Sequence, residues 1–72
     1  MPFRYSLSAR VSWAMHPFKG AWRITWRRYT EREGLPPIIE YALLAAHEPL
    51  GSPHTLAVNW AYEADLQTYE EP

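Results

Sequence analysis

Cysteine is absent from this 72-residue chain. A disulfide scaffold and a cysteine-ligated zinc domain are therefore excluded, since both need sulfur. Glycine is scarce: Gly20, Gly34 and Gly51 stand far apart, so no glycine-rich loop is present to cradle a phosphate. No stretch approaches the roughly 18 apolar residues of a membrane-spanning helix. The opening Met1-Pro2-Phe3-Arg4 lacks the basic-then-apolar order of an export signal. A cytoplasmic protein without a membrane partner is the resulting expectation.

Aromatic residues are abundant, with four Trp, five Tyr and two Phe in a composition that is 47% hydrophobic. That content, with a formal net charge of −1, excludes a disordered chain. The length allows one domain over residues 1–72. A domain this small buries only about 60% of its unfolded surface, so dense aromatic packing or self-association must supply the stability.

The near-neutral total conceals a strong asymmetry. Residues 1–34 carry all seven basic residues and two acids, an excess of five positive charges. Residues 35–72 carry six acids and neither Arg nor Lys. Such polarity suits a nucleic-acid-binding half, or two halves that neutralise one another in the fold.

Hydrophobic periodicity organises the chain. In residues 3–15, Phe3, Tyr5, Leu7, Ala9, Val11, Trp13 and Met15 alternate with polar neighbours, the pattern of a strand with one buried face. His16-Pro17-Phe18-Lys19-Gly20 then reads as a hairpin loop. Residues 21–30 alternate again, with Trp22, Ile24 and Trp26 inward and Arg23, Thr25, Arg27 and Tyr29 outward. Arg28 falls on the apolar parity, which places the end of the buried face at Trp26. A polar loop closes at Gly34. Pro36-Pro37 suits the first turn of a helix running from Ile38 to Glu48 and stopped by Pro49. Residues 54–66 alternate a third time, with Leu56, Val58, Trp60, Tyr62 and Ala64 inward. Residues 67–72 read as an acidic tail, or as a strand extension held by Tyr69. The expected fold is a small α+β domain, β-β-α-β, with a three-stranded sheet in order 2-1-3. One Ala-rich helix would pack on a face bearing all four Trp residues.

Catalysis finds no support. There is no cysteine nucleophile and no nucleophile elbow. His47, Glu48 and His54 are neighbours in sequence, but their spacing matches no helical zinc motif. No enzyme activity, metal or cofactor is expected. The candidate contact residues are Arg10, Arg23, Arg27, Arg28 and Tyr29 on the outward side of the first hairpin, with Tyr41 and Leu44 on the helix. Arg and Tyr are the residue types that anchor protein interfaces, and guanidinium groups beside hydroxyls also grip phosphates. An RNA-recognition sheet would need central outward aromatics, and here the aromatics take the inward parity.

In style the chain resembles the short single-domain proteins that phages and mobile elements encode to bind and disable host machinery. The resemblance rests on size and composition and transfers no residue. The expected function is a non-catalytic module that binds and blocks a protein partner, with a homodimer as one form. Nucleic-acid binding by the Arg-bearing hairpin and a structural subunit of a larger assembly are the alternatives.

Overall fold

A computed structural model describes residues 2–17, 20–46 and 59–70. Five strands are found among them: β1 (Arg10–Trp13), β2 (Trp22–Arg32), β3 (Leu35–Ala45), β4 (Asn59–Tyr62) and β5 (Leu66–Thr68). All pair antiparallel in one sheet of order β4-β3-β2-β1-β5. The only helical element among the described residues is a 3-10 turn, Glu63–Asp65. None is long and apolar enough to cross a membrane.

This corrects the expected α+β fold. The segment read as a helix is β3, paired residue by residue with β2 and β4. Ile39, Tyr41, Leu43 and Ala45 lie on the core side. On the other side Ala42 and Leu44 are buried as well. A strand covered on both faces loses its period of two and reads like a buried helix. Pro36-Pro37 sits at a register shift, where two residues of β3 face the single Glu31. Proline removes no ladder hydrogen bond at such a bulge, and Arg32 donates two hydrogen bonds to the Pro36 carbonyl, at 3.2 and 2.7 Å.

The sheet must curl. From Tyr62 to Leu66 the chain advances four residues, at most about 14 Å when fully extended. Flat, a five-stranded sheet would hold β4 and β5 about 19 Å apart. The short 3-10 connection therefore rolls the two edges toward each other and leaves a concave core of Val11, Trp13, Trp22, Ile24, Tyr41, Leu43, Ala61 and Leu66.

Further expectations change with it. Of the first alternating segment, only residues 10–13 form a strand. The preceding residues 2–9 form a strap that brings Phe3 and Tyr5 against Tyr41. Ser8 turns the strap with a positive φ of 69° and donates its N–H to the Ile24 carbonyl at 2.8 Å. Leu7 and Met15 are exposed. In β4 it is Ala61 that is buried, while Tyr62 is 58% exposed. Part of the expected acidic tail is β5, extended by a Tyr69 N–H bond to the Arg10 carbonyl at 3.2 Å. Parts of the expected first loop, helix end and third strand, and His47, Glu48 and His54, lie outside the described residues.

Glu33-Gly34 turns β2 into β3, and Gly34 holds a φ of +73° with nothing within 4 Å of an added Cβ. The penalty at Gly34 is therefore conformational rather than steric. Gly34→Ala is expected to cost about 1 kcal/mol. A shifted urea midpoint with unchanged slope would show it.

Candidate functional site

The outer side of the sheet is set by a bulge in β2. Ile24 faces Leu43 and Trp26 faces Ala42, so Thr25 is an extra residue. One added residue moves every following side chain to the opposite face. Trp22 and Ile24 point into the core, but Trp26 points out and is 63% exposed. The expectation that all four Trp residues line one core is thereby corrected. Trp13 and Trp22 meet edge to face inside, with ring centres 5.2 Å apart. Trp26 and Trp60 meet outside at 6.2 Å.

The pairing register arranges the outer face in rungs. Arg10, Arg23 and Leu44 form the first; Trp26, Ala42 and Trp60 the second; Arg28, Glu40 and Tyr62 the third. The Arg28 guanidinium carbon lies 4.0 Å from the Trp60 ring centre. Its Nε and Nη2 donate to one Glu40 oxygen at 3.2 and 3.1 Å. An exposed ion pair of this kind contributes about 0–1 kcal/mol, and the cation–π contact about as much. Their main effect is positional: Glu40 holds Arg28 over the indole.

The sequence-derived candidates divide between two sides. Arg10 and Arg23 stand directly opposite each other on the outer face, and neither is without a partner. Arg28 joins that face. Arg27 and Tyr29 have crossed to the inner side beyond the bulge. Arg27 lies over the Phe3 ring at 4.7 Å and donates to the Tyr5 carbonyl at 3.4 Å, while Tyr29 meets Phe3 edge-on. Leu44 is buried, and Tyr41 has 0% exposure.

Tyr41 instead organises the interior. Its hydroxyl accepts the N–H groups of Arg4 and Tyr5, at 3.0 and 3.2 Å, and donates to the Glu63 carboxylate. Burial, then the hydrogen bond to Glu63, push its hydroxyl above the usual 10.0; the Tyr5 and Arg4 N–H groups pull the other way. This network joins β3, the strap and the 3-10 turn.

Trp26, Trp60 and Tyr62 are the surface residues that sequence reasoning placed in the core. The available signal was Arg28 on an apolar parity, since a misplaced charge in an alternating strand marks a bulge. Among the described residues no cluster of three or more His, Asp or Glu is placed to hold a metal. A hollow of about 350 Å³ lies beside Tyr62, lined by Pro37, Ile38, Ile39, Glu63 and Ala64. Its one carboxylate is already hydrogen-bonded to Tyr41 and Arg4. No protein-family model, curated protein or solved structure matches this chain. Any functional reading therefore rests on this surface alone. Its flat exposed rings and a braced guanidinium can bind a partner by contact.

Proposed function

We propose that this chain is a non-catalytic protein-interaction module that blocks a partner by occupying its surface, with Trp26, Trp60, Tyr62 and Arg28 as the contact residues. The supporting observation is Trp26, carried to the outside by a bulge and left 63% exposed beside Trp60. Trp, Tyr and Arg dominate the energetics of protein interfaces. A small domain gains nothing in its own stability by leaving an indole in water.

Proteins retained from a lysate of the producing organism by the immobilised domain should be lost with Trp26→Ala. For the partner so identified, the dissociation constant should rise about 30-fold, as for a contact of about 2 kcal/mol. An unchanged constant would remove Trp26 from the interface. Single-stranded nucleic acid is the second reading, favoured by exposed rings on the same face as Arg28. Against it, the Arg28 guanidinium beside those rings is already paired with the Glu40 carboxylate. Salt-sensitive anisotropy of labelled oligonucleotides would favour that reading instead.

A further inference from the structure

β2 outruns the strand beside it. On its β1 side it pairs only at Trp22 and Arg23, with Ser8 and Ala9 adding bonds at Ile24. From Trp26 to Arg32, no backbone partner borders that side among the described residues. The opposite strand of the same arm is guarded, because Pro36 and Pro37 offer no N–H along β3. Residues 28–32 of β2 are all exposed, with Tyr29 at 39%.

An open edge is commonly protected by charge, but the charges here are self-complementary. We infer that a second copy of this chain docks antiparallel along this edge, on a two-fold axis at Tyr29. In that register Arg27 of each copy faces Glu31 of the other, Trp26 faces Arg32, Arg28 faces Thr30, and Tyr29 faces itself. Opposite charges and a cation–aromatic pair then meet across the strands, each a favourable cross-strand pairing. Shifting the axis to Thr30 would set Arg28 against Arg32, so charge selects the Tyr29 register. The backbone agrees. Ile24 exchanges both its peptide groups with the strap, which points them to this edge. Alternation shifted by the bulge points those of Arg27, Tyr29 and Glu31 the same way. The dimer closes on itself, as an isologous interface must, and joins the two sheets into one.

Sedimentation over a concentration series should show a wild-type dimer. Glu31→Arg sets like charges opposite each other twice, and should weaken self-association by at least about tenfold. Arg27→Glu should do the same. An equimolar mixture of the two variants should recover a heterodimer, because each pair is then again of opposite sign. Arg27 also braces Phe3, whereas Glu31 is exposed, so Glu31→Arg keeps the test valid if Arg27→Glu unfolds. A wild-type chain that stays monomeric would overturn the inference, as would undiminished association of folded Glu31→Arg or a folded mixture that fails to associate. Trp26 belongs to both surfaces, but Glu31→Arg leaves Trp26, Arg28, Trp60 and Tyr62 unchanged, so loss of self-association and loss of the partner binding proposed above are scored separately.

Discussion

Tyr41→Phe is expected to cost the domain about 3 kcal/mol, although it removes a single oxygen. That oxygen accepts two strap N–H groups and donates to Glu63. Without it, the buried Tyr5 N–H loses its acceptor and the Glu63 carboxylate loses a donor. The stranded Tyr5 N–H costs about 1–3 kcal/mol, and the lost bond to the Glu63 carboxylate about as much. The Arg4 N–H is spared, because it also reaches Glu63 at 3.0 Å. A domain of this length has a total stability of about 4–11 kcal/mol, so the loss would be large. Urea denaturation measures it, and a change below about 1 kcal/mol would show that the network does not hold the strap. Tyr41 also sets an alkaline limit. Its proton is held more tightly in the fold than in the unfolded chain, so this contribution is complete below about pH 10 and is lost as pH rises through the raised pKa. The melting temperature of the Phe variant should therefore fall less steeply above pH 10 than that of the wild type.

The second large effect is a contrast between two tryptophans four residues apart. Trp22→Ala should cost about 3–5 kcal/mol, since it empties a core position against Trp13. That is enough to unfold much of the population at physiological temperature. Trp26→Ala should change stability by less than about 1 kcal/mol, as expected for an exposed side chain. Trp22 is 7% exposed and Trp26 63%. Equal costs would place both indoles in one core and remove the bulge at Thr25. The comparison also prepares the binding test, because a stable Trp26→Ala domain can lose its partner without losing its fold.

Only parts of two strands were legible. Val11 and Trp13 alternate with Arg10 and Ser12, and Trp22 and Ile24 with Arg23. These short stretches form β1 and the first residues of β2. Gly34 marked the turn that follows. What was not legible has two causes. In β3 both faces are covered, so apolar residues run on without alternation, and Ala42-Leu43-Leu44-Ala45-Ala46 has good helix formers throughout. Only pairing with β2 and β4 makes it a strand, and pairing between strands leaves no mark in the local composition of β3. In β2 a single extra residue reverses the faces from Trp26 onward. A parity reading continued through it therefore placed Trp26 inside and Arg27 and Tyr29 outside.

The sequence by itself determined an aromatic-rich composition without cysteine, basic residues gathered in the first half, and strand-forming alternation at residues 10–13 and 22–24. Alternation and composition are local properties, legible wherever one face is wet and the other dry. Tertiary structure decided that the chain is a curled five-stranded sheet, that Tyr41 is interior and that Trp26 is surface. Those outcomes depend on register, and register is set between strands rather than within one.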